Sequence, residues 1–187
     1  MTPSVRFGGT EGNALLTSAT GALLTVLLLA EGVTILFLGQ LLDEHMFIGV
    51  VLVGPVALKL LSTGYRFVRY YARTPAYREK GPPHLVLRLL GPVLVAATIV
   101  VLGSGIWLLV QGHRSDLLLT VHKASFIVWG GAFGIHFLAH LPGMVGALRR
   151  RGIAGNRPRA ASVAASLVFG VAVAIVLLPD VSGWAGR

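Results

Sequence analysis

Cysteine is absent from this 187-residue chain. No disulfide, thiolate-held iron–sulfur cluster, covalently attached haem or thiol nucleophile can be built from it. Any metal or haem must be held by His, Met or carboxylate. Charge is scarce as well: Asp, Glu, Lys and Arg make up only 12% of the residues, where soluble domains carry about a quarter. Acidic groups are rarest, 7 Asp and Glu against 16 Lys and Arg. Paired carboxylates, HExxH, a phosphate loop and a nucleophilic serine motif are all missing.

What is present is apolar. Hydrophobic residues make up 55% of the chain and the mean hydropathy is +0.78. A water-soluble fold would have nowhere to place that surface. The formal charge of +9 does not indicate nucleic acid, because the Arg residues lie in short connections between apolar spans and form no basic stripe or recognition motif.

A bilayer core about 30 Å thick needs roughly 20 mostly apolar residues per helix. Five stretches qualify: Ala14 to Leu38, Met46 to Tyr70, Leu89 to Val110, Leu117 to Leu141 and Ala160 to Leu178. The fourth is expected to continue as helix to Arg149, with Pro142 kinking or ending it at the membrane surface. The first reads as a retained helix and not a cleaved signal, since one Arg precedes it and no small-residue cleavage site follows. The fold expected is all-α, a polytopic transmembrane bundle of a four-helix core plus a fifth helix. Residues 1–13 form an N-terminal segment, 14–149 the core of two hairpins, and 150–187 the fifth helix and a tail.

Orientation follows from the cations. Arg66, Arg69, Arg73, Arg78, Lys80 and Arg88 surround the second connection, and Arg149, Arg150, Arg151, Arg157 and Arg159 the fourth. Positive-inside sorting puts both clusters in the cytoplasm of a cell (inner or plasma) membrane, the N-terminus inside and the C-terminus, with Trp184, outside. Tyr65, Tyr70, Tyr71 and Tyr77 then fall at the inner boundary. The fifth span repeats small residues at Ser162, Ser166, Gly170 and Ala174, a packing seam against the bundle or another subunit. His84, in a stiff Gly-Pro-Pro turn, and His113, in a short loop, have no role assigned.

The chain also parallels itself. Glu31-Gly32-Val33 through His45 to Lys59 matches Ser104-Gly105-Ile106 through His122 to His136. Each copy has a glycine near a helix end, a short loop, a His near the next helix start, and a basic or imidazole residue fourteen positions later. Two related hairpins are the expected reading.

Ionisable groups inside a bilayer are functional candidates by default; here they are Glu31, His45, Lys59, His122, His136 and His140. On the fourth span the three histidines fall within roughly 40° of one face, His122 and His136 about 21 Å apart along the axis. A b-type haem needs two axial imidazoles from opposite sides. His45 and His122 begin parallel spans and lie at matching depth, so they are the candidate pair and the candidate metal ligands. The corresponding partner for His136 would be Lys59, which is not an ordinary axial ligand, so a second, inner haem has an incomplete ligand set. Lys59 is expected to pair with Glu31 or with a haem propionate. Gly105 and Gly32 are placed at the ring edge, where backbones must approach closely. A quinone or proton-transfer role at His136 and His140 is a further option.

The segment Gly103-Ser104-Gly105-Ile106, followed by His122, His136 and His140, resembles the bacterial membrane b-type cytochromes, the four- or five-helix di-haem subunits of respiratory oxidoreductases and their small relatives. The resemblance covers Pro92 to His140 best. It implies a subunit that relays single electrons between quinol and a partner protein, with haem b as cofactor and no chemistry of its own. The alternative is a haem-free accessory or scaffold protein with a buried polar network around Lys59. In either case the lipid bilayer is a partner, nucleic acid is not, and oligomerisation is open.

Overall fold

The computed structural model describes residues 9–79, 81, 85–149 and 155–177. Lys80, His84, Arg150, Arg151, Leu178 and Trp184 lie outside them. Every regular element described is helical: α1 (Gly9–Leu36), α2 (Leu42–Val51), α3 (Val53–Tyr71), the short α4 (Pro75–Arg78), α5 (Leu85–Gln111), α6 (Asp116–Leu148) and α7 (Asn156–Leu177). With α2 and α3 forming one span, five helical segments are long and apolar enough to cross a bilayer. The chain is an all-α, multi-pass membrane protein. The spans extend past the apolar windows of the sequence, because helices continue into the headgroup region where a polar residue costs little. α1 thus already begins at Gly9, inside the expected N-terminal segment.

Spans one to four pack around a ring, α1 against α2 and α3, α2 against α5, α5 against α6, and α6 back against α1. The second and fourth spans therefore occupy opposite corners. The connection from α5 to α6 is tight: Gly112 takes φ +65, where a side chain would be strained. Ser115 then caps α6, its hydroxyl accepting from the Leu118 amide at 3.4 Å, with Asp116 in the first turn to complement the helix dipole. α6 runs through Pro142 to Leu148, so this proline does not end the helix at the membrane surface.

The second span breaks at Leu52, between α2 and α3. The cause is Pro55, which has no amide hydrogen to give the Val51 carbonyl four residues earlier. That carbonyl is not left bare, because Gly170 of α7 comes up against it. In return Gly54 lies against the Ser166 carbonyl of α7. Both approaches need the glycines, since a Cβ at either position would collide with backbone. Cα–H···O contacts of this kind are a recurring device at membrane helix crossings. Gly170 and Ala174 are buried there, so the small-residue seam of α7 is used within the chain, against the second span. Val50, Val51, Leu109 and Ala174 form the buried cluster around this crossing.

At the opposite, basic end, aromatic rings stitch α3 to α4 and α5. Tyr77 is buried and meets Tyr65 edge-on with ring centres 6.0 Å apart. Arg88 donates to the Tyr71 hydroxyl at 2.7 Å. Burial pushes the Tyr77 phenol above its ordinary value.

Candidate functional site

His45 on α2 and His122 on α6 meet across the ring of spans, their imidazole centres 6.3 Å apart and their planes at 80°. Each is half-buried, and each is anchored by the same ring atom. His45 Nδ1 lies 2.9 Å from the Glu31 carboxylate and 3.3 Å from the Thr34 hydroxyl. His122 Nδ1 lies 2.9 Å from the Val101 carbonyl and 3.1 Å from the Ser104 hydroxyl. Thr34 gives its hydrogen to the Glu31 carbonyl at 2.7 Å, and Ser104 gives its own to Val100 at 2.6 Å. Both hydroxyls therefore face the histidines as acceptors.

A carbonyl or carboxylate can only accept, so each Nδ1 carries the hydrogen. In the neutral ring this leaves a lone pair on Nε2, the form in which imidazole binds a metal. Neither Nε2 has a hydrogen-bond partner among the described residues.

The internal parallel reappears at this point. Glu31 and Ser104 occupy matching places in the two hairpins, and each holds Nδ1 of its own copy's histidine. Gly105 lies directly beneath the His122 ring: a Cβ there would be 3.0 Å from Cε1 and 3.4 Å from Nδ1, with Nε2 farthest away at 4.0 Å. It thus makes room for the imidazole itself. Gly32 faces open space instead. It borders a cleft of about 510 Å³ between α1 and α6, together with Leu28, Val33 and Phe126.

One element of this region was not recognised in the sequence. Phe126, Trp129, Phe133 and Phe137 stack in succession along α6, with ring centres 6.1, 4.7 and 5.5 Å apart. Their spacing of three, four and four residues was the available signal. The Trp129 indole donates to Thr98 on α5 at 3.0 Å, which fixes the ladder against its neighbour.

His136 and His140 lie toward the basic end with ring centres 4.5 Å apart. The His136 Nδ1 is buried and has no partner among the described residues. Lys59 does not pair with Glu31. Its ammonium donates to the Thr17 carbonyl on α1 at 2.7 Å, close to Gly21, which also faces Met144. Glu31 is committed to His45 near the other end of the span, so the expected ion pair is excluded by depth. Around Lys59, Asn13 donates to the Ser62 carbonyl at 3.2 Å and Thr17 to the Ser62 hydroxyl at 3.1 Å.

An ammonium held, among the described residues, by a carbonyl alone is a liability in a bilayer, where a central Lys costs about 2.5–3.5 kcal/mol on insertion scales. Lys59→Met is expected to raise stability by about 1 kcal/mol or more. Unfolding by SDS in mixed micelles, followed by helical circular dichroism, measures it, and a destabilised variant would show that the bond to Thr17 outweighs the cost of keeping the ammonium there.

Among the described residues no group of three or more His, Asp or Glu comes together to hold a bare metal ion. A porphyrin iron requires only two protein ligands, because the macrocycle supplies the other four. Two imidazoles bound to opposite sides of one iron, each nitrogen about 2 Å from it, have ring centres about 6 Å apart. The separation of His45 and His122 fits that requirement. The pair His136 and His140 does not, being too close and on one helix. No family model matches the chain, and neither a curated protein nor a solved structure matches it.

Proposed function

We propose that this chain is a membrane b-type haem protein that relays single electrons, with His45 and His122 as the axial ligands of one haem. The observation that carries the reading is the convergence of two imidazoles from opposite corners of the ring, both held by Nδ1 acceptors. Glu31, Thr34, Val101 and Ser104 fix tautomer and orientation, which is the usual task of the groups behind a metal-bound histidine. Gly105 lets the His122 ring sit flush on α5, and the α1–α6 cleft beside Gly32 and Phe126 offers apolar surface to a ring edge. Haem, when bound, supplies a one-electron couple.

One haem is proposed and not two, because Lys59 stands where an inner partner for His136 would be needed. With the basic end in the cytoplasm, the haem lies near the outer face, and the inner pole of Lys59, His136 and His140 is left for exchange with a quinone or a partner subunit. The test is a reduced-minus-oxidised spectrum of the protein purified in mild detergent from a haem-replete host. Sharp bands lost in both His45→Ala and His122→Ala are expected. A colourless but folded wild type would end the proposal, and loss of the bands only in His136→Ala would move the site to the inner pole.

A second reading, a haem-free scaffold subunit, draws on the hydrogen-bonded group of Asn13, Thr17, Lys59 and Ser62 between α1 and α3. Such a group rigidifies a helix pair without needing a cofactor. The same colourless preparation would favour it.

A further inference from the structure

The two hairpins hold their histidines by matching residues that differ in one respect. Glu31 brings a negative charge to His45 Nδ1 at 2.9 Å, whereas Ser104, in the corresponding place, brings a neutral hydroxyl to His122 Nδ1 at 3.1 Å. Glu31 is 9% exposed, and among the described residues no Lys or Arg pairs with it: Lys59 is engaged with Thr17, and the carboxylate lies against His45 Nδ1. A carboxylate kept in the apolar part of a bilayer is unfavourable, and at His122 the neutral Val101 carbonyl and Ser104 hydroxyl already suffice to orient an imidazole. Orientation alone therefore does not account for Glu31.

Resting on the haem reading above, we infer that Glu31 is the positioning residue that sets the redox potential of the centre, acting through His45 as a fixed negative charge that favours the oxidised state. A carboxylate behind a metal-bound histidine raises the basicity of that ligand. The added charge also stabilises the extra positive charge of ferric over ferrous iron, with little screening in a low-dielectric site. Thr34 supports the arrangement by donating its one hydrogen to the Glu31 carbonyl at 2.7 Å, which leaves its oxygen facing His45 as an acceptor. The centre is thereby electrically lopsided, one axial ligand more electron-rich than the other.

The experiment is an optical redox titration of the intact detergent-solubilised protein, with haem content measured in parallel. Glu31→Gln keeps the size and an acceptor oxygen but removes the charge. At a fixed ambient potential its ferric-to-ferrous ratio is expected to fall at least tenfold, an upward midpoint shift of about 59 mV or more for one electron. Ser104→Asp, which supplies a charge to the other histidine, is expected to move the ratio in the opposite direction. Thr34→Val, which leaves the charge in place, is expected to change it less than threefold. A haem-retaining Glu31→Gln protein with a ratio within twofold of wild type overturns the inference. If Glu31→Gln retains no haem, Ser104→Asp decides, and its failure to hold haem or to shift the ratio toward ferric also overturns it. A wild type without haem would remove the underlying reading and is seen at the first step, so the two failures are distinguishable.

Discussion

Gly170→Leu is expected to destabilise the detergent-solubilised protein by about 3 kcal/mol or more, at or above the upper end of ordinary overpacking penalties. The argument rests on what the new side chain meets. A Cβ on Gly170 points at the Val51 carbonyl and its Cα, and backbone atoms cannot rotate aside as a flexible side chain does. The only relief is for α7 to back away from the second span. That withdrawal uncovers the Val51 carbonyl, whose own helical donor was removed by Pro55, and leaves a polar group without a partner in an apolar medium. Gly54→Leu should behave alike, since it meets the Ser166 carbonyl from the other side. Gly134→Leu is the control, because a Cβ on Gly134 has no atom within 4 Å. SDS unfolding followed by circular dichroism separates the three, and a Gly170→Leu protein as stable as Gly134→Leu would mean that α7 does not seat on the second span.

Gly105→Leu carries the second large effect. Its Cβ would lie 3.0 Å from the Cε1 of His122, tighter than carbon atoms pack. The imidazole must tilt off α5, losing the bond to the Val101 carbonyl that defines its tautomer. Under the haem proposal, haem content in Gly105→Leu falls at least tenfold, equivalent to about 1.4 kcal/mol of binding free energy. Gly103→Leu, two residues away and facing open space, should retain it. Haem content against helical content distinguishes loss of the site from loss of the fold. A fully loaded Gly105→Leu protein would show that His122 is not a ligand.

The spans and their number could be read from the sequence because apolar length alone identifies a bilayer-crossing helix. The matching depth of His45 and His122 was legible for a related reason: both residues open parallel spans, and depth follows from residue count. Rotation about the helix axis does not. Lys59 was therefore assigned to Glu31 or a haem propionate, although the helix turns its side chain toward Thr17, and Glu31 already stands at the depth of His45. A count from the α1–α2 connection would have found that pairing, since Glu31 precedes it by about as little as His45 follows it. Gly105 was expected at a ring edge, and the contact that its missing Cβ makes room for is the His122 imidazole; a sequence shows that a glycine permits close approach without showing what approaches. Pro55 breaks the second span, whereas Pro142 leaves α6 helical. A proline alone does not decide whether neighbouring segments tolerate the missing bond.

The seat for α7 has a consequence for biogenesis. Val51 and Gly54 leave the ribosome long before Gly170, so the second span has one flank uncovered while two further spans are made. The contact that closes the bundle is thus among its most distant in sequence, and such contacts are slow to form. Chains shortened before residue 156 lack Gly170 and would leave the Val51 carbonyl facing lipid without that contact.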